Sequence, residues 1–181
     1  MTEIQDFEFW FNQTHEHGDV HDYGIDYCHN KIIKQIIFNL QLPKGKIIML
    51  GSHRCVGLDI LCHKYGNDRV IGFDLYNPTN HPCVKTGNII NLTEQINSAL
   101  IINDLGSFKL TPKSKIYAQE WASKNTVKGG YVLCTTNNNS ANYDIEGHMK
   151  DQGFELIRLN NFITEGIDKW ALDAYCLYKK L

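Results

Sequence analysis

Two residues in the first half of the chain have the types and the spacing of a glycine turn followed by an acidic strand end. Gly51 follows the apolar run Lys46–Leu50, and Asp74 ends the apolar segment 69–74 about 20 residues later. A glycine after a strand allows a tight turn and lets a ligand approach the backbone closely. A carboxylate at the end of the next strand can accept hydrogen bonds from both hydroxyls of a ribose. Either feature alone is common in turns and helix caps, so it is their order and spacing that predict a ligand site.

Other candidate residues stand where the predicted strands end. In open α/β sheets, ligands bind outside the carboxyl ends of the strands, near the point where the strand order reverses. A helix predicted to begin near Gly57 adds N–H groups that can bind a carboxylate or a phosphate. Besides Gly51, Gly57 and Asp74, the candidate binding residues are Ser52 after the first strand, Leu75 after the second, Asn88 and Ile89 after the third, and Asn103 after the fourth.

Two residues are candidates for a general base, which would take a proton from the reacting group. Asp104 follows Asn103 at the end of the fourth predicted strand, and His21 is the last histidine of an N-terminal cluster. That cluster also contains His15, Glu16, His17, Asp19 and Asp22. Imidazole and carboxylate groups at such spacing can bind a divalent metal. Because no helical or strand period brings them to one point, we predict that residues 1–30 form a polar arm or lid, with a metal site as the alternative.

The elements that must position these residues alternate between strands and helices. Apolar runs typical of buried strands cover residues 46–50, 69–74, 99–104, 131–136, 154–159 and 173–180, with a weaker signal at 84–90. Segments with helical spacing lie at 31–40, 57–65, 112–122 and 145–149, and Thr93 is expected to cap one more short helix. This order predicts an α/β domain over residues 31–181, with a doubly wound, mostly parallel seven-stranded sheet and helices on both faces. The last two strands indicate a long hairpin, so the C-terminal strand is expected to be antiparallel.

The charge balance and the apolar content of the chain exclude some classes of binding partner. The chain has 18 basic and 20 acidic residues, a balance that argues against a broad surface for nucleic acid. Its start is acidic, unlike a signal peptide, and no run approaches the roughly 20 apolar residues of a membrane span, so no membrane partner is expected. The six cysteines form no CxxC pair, and Cys62, Cys134 and Cys176 sit in apolar runs, where a thiol behaves as a small hydrophobe. These features favour a reducing, cytoplasmic compartment.

The order of motifs resembles the class I S-adenosylmethionine-dependent methyltransferases over residues 31–181. IIMLGS is similar to the family's glycine-loop strand, and VIGFD to the second strand, whose terminal acid holds the cofactor ribose. TGNI resembles the segment beside the adenine, where Asn88 takes the place of the usual acid. ALIINDLGS resembles the fourth strand, which faces the methionine moiety and the substrate, and VKGGYVLCTT resembles the fifth. FELIRL and AYCLYKK are similar to the closing antiparallel hairpin.

The glycine loop departs from the family pattern. The family usually has an acid two positions before the first glycine and further glycines two and four positions after it, whereas here these positions hold Met49, His53 and Cys55. The fourth strand is not followed by an NPPY-type tetrapeptide. Other nucleotide-binding patterns fit less well, because GSHRCVG lacks the remaining glycines of GxGxxG and no GK[ST] sequence follows the turn.

The resemblance implies methyl transfer from S-adenosylmethionine to a small or peptide-like acceptor. The binding residues it implies are those named above, with Asp104 or His21 as the base. Two other hypotheses remain open at this stage. One is a methyltransferase-like domain that has lost catalysis and serves as a binding or scaffold module. The other is a metal-dependent enzyme that uses the N-terminal histidines.

Overall fold

The computed structural model describes residues 34, 36–52, 56–74, 77, 79–87, 91–103, 112–136, 145–161 and 174–181. Within these ranges the chain forms seven strands and three α-helices. The strands are β1 Lys46–Leu50, β2 Val70–Asp74, β3 Val84–Thr86, β4 Ser98–Asn103, β5 Thr126–Thr136, β6 Phe154–Asn161 and β7 Ala174–Lys180. The helices are α1 Val56–Tyr65, α2 Pro112–Asn125 and α3 Ile145–Asp151.

All seven strands belong to one sheet, with the order β3-β2-β1-β4-β5-β7-β6. β1 to β5 pair in parallel, and β7 runs antiparallel to both β5 and β6. The predicted fold class is therefore confirmed, including the C-terminal hairpin and its antiparallel last strand. The strand order reverses between β1 and β4, which places a topological switch point at the centre of the sheet.

The sheet separates two apolar clusters because successive side chains of a strand point to opposite faces. In β1, Ile47 and Met49 lie in the first cluster, whereas Ile48 and Leu50 lie in the second. All four side chains are fully buried, as expected for a central parallel strand covered on both sides. The helices complete the two clusters, with Leu58 and Leu61 of α1 in the first and Ala118, Trp121 and Ala122 of α2 in the second.

The segment 92–97, which precedes β4, is held against α2 by a row of side chains spaced four residues apart. Tyr117, Trp121 and Asn125 lie on one side of the helix. Their polar atoms bond to alternate residues of the segment: the Tyr117 hydroxyl donates to the Leu92 carbonyl at 3.0 Å, the Trp121 indole donates to the Glu94 carbonyl at 3.2 Å, and the Asn125 side-chain oxygen accepts from the Ile96 amide.

The prediction that Thr93 caps a helix is wrong, since residues 92–97 form no helix. Four residues of an α-helix rise about 6 Å, and two residues of an extended chain rise slightly farther, about 6.6 Å. The row of donors and acceptors on α2 therefore matches an extended partner. Because these bonds use the backbone groups of Leu92, Glu94 and Ile96, the local capping signal at Thr93 is overridden.

Two further sequence predictions are met in part. The helix predicted over 31–40 is described only at Lys34 and at the 3-10 turn Ile37–Asn39. The strand signal at 84–90 corresponds to the short strand β3. None of the helices in the described ranges is long and apolar enough to cross a membrane.

We expect Tyr117→Phe to lower the free energy of unfolding by about 1 kcal/mol, since it removes one hydrogen bond to a part-buried carbonyl and leaves the ring in place. Urea denaturation monitored by circular dichroism measures the change. The matched control is Tyr131→Phe in β5, where the ring is buried but the hydroxyl makes no hydrogen bond with the described part of the chain. Equal losses in the two variants would contradict the proposed role of the α2 row.

Candidate functional site

The carboxyl ends of β1, β2 and β4 form one edge of the sheet at the switch point. Leu50 of β1 pairs with Phe73 of β2 on one side and with Asn103 of β4 on the other. Gly51 follows Leu50 with φ of 77°, a left-handed conformation that favours glycine, and its amide donates to the Phe73 carbonyl at 2.8 Å. The predicted glycine turn therefore lies at this edge, beside the end of β2.

Asp74 is the last residue of β2 and lies directly after the Phe73 carbonyl that Gly51 contacts. Its side chain is half-buried, and its carbonyl accepts a hydrogen bond from the Gly87 amide at 2.8 Å. Gly51 and Asp74, chosen from spacing alone, thus stand at the same edge on neighbouring strands. Gly57 is buried in the first turn of α1. Because α1 follows β1, its N–H groups also face this edge.

Two buried polar side chains at the edge have hydrogen-bonding atoms without a partner in the described part of the chain. They are the Ser52 hydroxyl and both the oxygen and the nitrogen of the Asn103 amide. Ser52 is 1% exposed and Asn103 is 0% exposed. A buried polar group left without a partner costs roughly 1–3 kcal/mol, and such groups are rare in folded proteins. Two at the switch point indicate a place where a ligand completes the bonding.

The two side chains border the edge from different faces of the sheet. Ser52 packs against β2 and α1, because a Cβ placed on Gly72 would lie 3.0 Å from the Ser52 hydroxyl and 2.9 Å from Leu58. Asn103 alternates with Ile102, which belongs to the first cluster, and so falls on the face of the second. A ligand that contacts both must therefore lie across the edge, at the carboxyl ends of β1 and β4.

Gly72 is a residue of this site that the sequence reasoning did not single out. It stands in the middle of a buried strand, VIGFD, and a glycine in a strand interior marks a close approach by a neighbour. That signal was present in the sequence. Only the structure identifies the neighbours, which are the side chains of Ser52 and Leu58.

Met49 occupies the position where the methyltransferase family usually has an acid. Its side chain is fully buried in the first apolar cluster, between the backbone partners Gly72 and Ile102 on the adjacent strands. No carboxylate is therefore available from this position of β1. Among the candidate residues that the structure describes, Asp74 is the only acid at the edge.

Several predicted site residues lie outside the described residues: Leu75, Asn88, Ile89, Asp104, His21 and the other residues of the N-terminal arm. Their assignments stay predictions, as does the division into an arm at 1–30 and a domain at 31–181. Among the described residues, no group of three or more His, Cys, Asp or Glu side chains converges as a metal site would require.

No protein-family model matches the chain, and no curated protein sequence matches it. Several solved structures are similar to it in fold. An S-adenosylmethionine-dependent methyltransferase from Clostridium acetobutylicum has a TM-score of 0.63 and 13% identity, with 99% of each chain covered. The N-methyltransferase NodS from Bradyrhizobium japonicum, in complex with S-adenosylhomocysteine, has a TM-score of 0.61 and 10% identity over 85% of this chain and 86% of that one. The [4+2]-cyclase SpnF has a TM-score of 0.63 and 8% identity over 86% and 80%.

The chain has the class I methyltransferase fold. At these identities the likeness shows the fold alone, and the fold hosts more than one reaction, since one of the similar structures is a cyclase. The fold alone therefore does not define the reaction, which depends on the residues of the site.

We expect Gly72→Ala to destabilise the protein by about 1–3 kcal/mol, because the added Cβ would meet Leu58 at 2.9 Å and Ser52 at 3.0 Å in a close-packed region. Urea denaturation measures this change. Gly87→Ala is the control, since a Cβ added to Gly87 would have no heavy atom within 4 Å and the residue does not need a positive φ. If Gly72→Ala were as stable as Gly87→Ala, the packing of Ser52 over β2 would be wrong.

Proposed function

We propose that this chain is an S-adenosylmethionine-dependent methyltransferase acting on a small or peptide-like acceptor. The observation that carries the proposal is the set of atoms on Ser52 and Asn103 that have no partner in the described part of the chain, at the switch point of a methyltransferase fold. Solved structures of this fold include one with S-adenosylhomocysteine bound, which supports the choice of cofactor over other nucleotides. The strand order supports it as well, because β7 inserted antiparallel between β5 and β6 departs from the dinucleotide-binding order.

The described residues fit the polar groups of this cofactor. The Asp74 carboxylate can accept from the two ribose hydroxyls. The Ser52 hydroxyl and the first turn of α1 at Gly57 can donate to the methionine carboxylate. Of the residues outside the described ranges, we assign Leu75, Asn88 and Ile89 to the adenine side.

The burial of Met49 gives Asn103 a particular part in this assignment. An ammonium group needs an acceptor, and the family's usual acid is absent at position 49. The Asn103 side-chain oxygen is a buried acceptor without a partner in the described part of the chain, at the end of the strand next to β1. We therefore assign the methionine amino group to Asn103. A neutral amide binds an ammonium less strongly than a carboxylate does, so we expect moderate cofactor affinity.

The bound cofactor would supply a methyl group on a positively charged sulfur, which is already electrophilic. The chain's own residues then have three tasks: they bind the cofactor at the edge, hold the acceptor's nucleophile in line with the methyl group, and exclude water. A base must also take the proton that an amine or hydroxyl acceptor loses. We assign this proton transfer to Asp104, or to His21 if the N-terminal arm covers the site.

A second candidate function is a binding or scaffold module without catalysis. The observation that favours it is Met49, which places an apolar, fully buried side chain where the family has a cofactor-binding acid. In that case the fold would persist while cofactor affinity is lost. The two candidates therefore differ in a measurable quantity, the affinity for S-adenosylhomocysteine.

Calorimetric titration of the purified chain with S-adenosylmethionine, S-adenosylhomocysteine and NAD tests the proposal. We expect micromolar binding of the first two and none of NAD. Asp74→Asn should lower the affinity about 10- to 100-fold, since it weakens charge-assisted hydrogen bonds worth about 1.5–3 kcal/mol. Asp68→Asn, which changes an exposed aspartate just before β2 at the opposite end of the strand, is the matched control. A folded chain that binds none of the three ligands would reject the enzyme and favour the scaffold.

Asn103→Leu separates a binding role of Asn103 from a structural one. The two side chains share the same branching, and the apolar one removes buried atoms that lack partners. We expect the ligand-free protein to be as stable as the wild type or up to about 2 kcal/mol more stable, while S-adenosylhomocysteine binding weakens at least tenfold. Urea denaturation and titration calorimetry give the two numbers. A variant that is less stable but binds normally would show that Asn103 serves the fold instead.

A further inference from the structure

The turn that leads into β3 docks on one face of α1. The His81 ring nitrogen Nε2 lies 3.0 Å from the Asp59 carboxylate, and the Cys83 sulfur lies 3.7 Å from the Cys62 sulfur. Asp59 and Cys62 are three residues apart on α1 and therefore share a face. His81 and Cys83 are two residues apart on the turn. The two contacts together hold the turn along the helix.

Hydrogen bonds within the turn fix the position of Cys83. The Asn77 side chain accepts from the His81 amide at 2.9 Å and donates to the His81 carbonyl at 3.1 Å. The Cys83 amide donates to His81 Nδ1 at 3.1 Å, so the other ring nitrogen, Nε2, carries the hydrogen that Asp59 accepts. The Cys83 carbonyl accepts from the Gly72 amide at 2.9 Å. The Cys83 thiol is thus presented to α1 by a preorganised backbone.

The two thiols differ in their access to solvent. Cys62 is 8% exposed and packs in the first apolar cluster, whereas Cys83 is only half-buried. The Cys62 thiol points at the Cys83 sulfur, and the Cys83 thiol is 3.7 Å from the Asn67 carbonyl. A small oxidant can therefore reach Cys83 first, with Cys62 placed behind it as the second thiol. This is the arrangement of an oxidisable cysteine beside a resolving cysteine.

We propose that Cys62 and Cys83 are an oxidation site that forms a reversible disulfide between α1 and the start of β3. The oxidant is a small hydroperoxide such as hydrogen peroxide. The Cys83 thiolate attacks one peroxide oxygen, the O–O bond breaks, and Cys83 becomes a sulfenic acid as hydroxide leaves. The Cys62 thiolate then attacks the Cys83 sulfur and displaces the second oxygen as water. In sum, two thiols lose two hydrogens, and one peroxide is reduced to two waters.

A metal site explains the thiol pair less well. Zinc bound by protein requires about four ligands, and His81, the histidine of this turn, already has one ring nitrogen on the Cys83 amide and the other on Asp59. Among the described residues, no set of three or more potential ligands converges. The 3.7 Å contact between the two sulfurs is suited to a disulfide.

The described residues contain a second pair of neighbouring cysteines, which we expect to be less reactive. Cys134 and Cys176 are directly opposite on the antiparallel strands β5 and β7. Burial raises the pKa of the Cys134 thiol to about 12, with the Gln119 side chain bonded to the sulfur at 3.2 Å. Because the thiolate is the reactive form, Cys134 should resist oxidation at neutral pH. Proximity alone therefore does not decide which pair reacts.

Disulfide formation would tie the start of β3, the outermost strand of the sheet, to helix α1. The sulfurs must approach from 3.7 Å to about 2.05 Å. Because Cys62 is packed in the core, we expect the half-buried Cys83 side chain to make most of this adjustment. The bond would close a loop of the intervening chain and so favour the folded state. The proposal does not depend on the assigned cofactor.

Peptide mapping of the oxidised chain tests the proposal. The background is Cys28→Ser/Cys55→Ser, which removes the cysteines outside the described residues. The protein is treated with hydrogen peroxide at neutral pH, blocked with N-ethylmaleimide, digested and analysed by mass spectrometry. We expect one cross-linked pair joining the peptides of Cys62 and Cys83, with the loss of two hydrogens, reversed by dithiothreitol. The oxidised form should melt a few degrees higher than the reduced form.

Two variants sharpen the result. Cys134→Ser should still form the bond, whereas Cys83→Ser should leave Cys62 as an unmodified or singly alkylated thiol with no rise in melting temperature. Should Cys83→Ser fail to fold, the mapping of the parent protein decides alone. Linkage of Cys134 to Cys176, full alkylation of Cys62 and Cys83 after peroxide treatment, or a zinc ion recovered with the reduced protein would each overturn the proposal.

Discussion

The pairing of β1 with β4 at the centre of the sheet is the constraint on which the rest of the structure depends. Both strands are buried on both faces, so their backbone groups must be satisfied by neighbouring strands. β2 extends the sheet on one side and β5 on the other, so the strand order reverses between β1 and β4. A crevice at their carboxyl ends is the geometric consequence. The described residues assigned to ligand binding, Gly51, Ser52, Gly57, Asp74 and Asn103, follow or end these strands.

The carboxyl ends of β1 and β4 carry buried polar side chains where apolar ones would make the fold more stable. Asn103 ends β4 and Ser52 lies two residues after β1, and each follows a run of buried aliphatic residues. The apolar clusters on the two faces of the sheet contribute the stability that offsets these unpaired atoms. Buried polar residues that lower stability in this way are characteristic of functional sites.

Two helices in this protein each hold an irregular segment through side chains that lie on one face of the helix. On α2, residues four apart meet alternate residues of the extended segment 92–97. On α1, Asp59 and Cys62, three residues apart, meet His81 and Cys83 of the turn before β3. In both cases a helix that covers one face of the sheet also positions a connection between strands. On α2 the lengths agree because four helical residues rise about 6 Å and two extended residues rise about 6.6 Å.

The sequence by itself determined the alternation of strands and helices, the antiparallel last strand, and the shared edge of Gly51, Ser52, Asp74 and Asn103. These follow from local apolar periods and from the rule that parallel strands end on the same side. It failed at Thr93, because side chains of α2 that are more than twenty residues away decide the conformation there. Only the tertiary structure decided that Gly72 lies beneath Ser52, that Met49 faces the core, and that Cys62 meets Cys83. Such contacts depend on how elements distant in the chain pack together, and no local pattern encodes that packing.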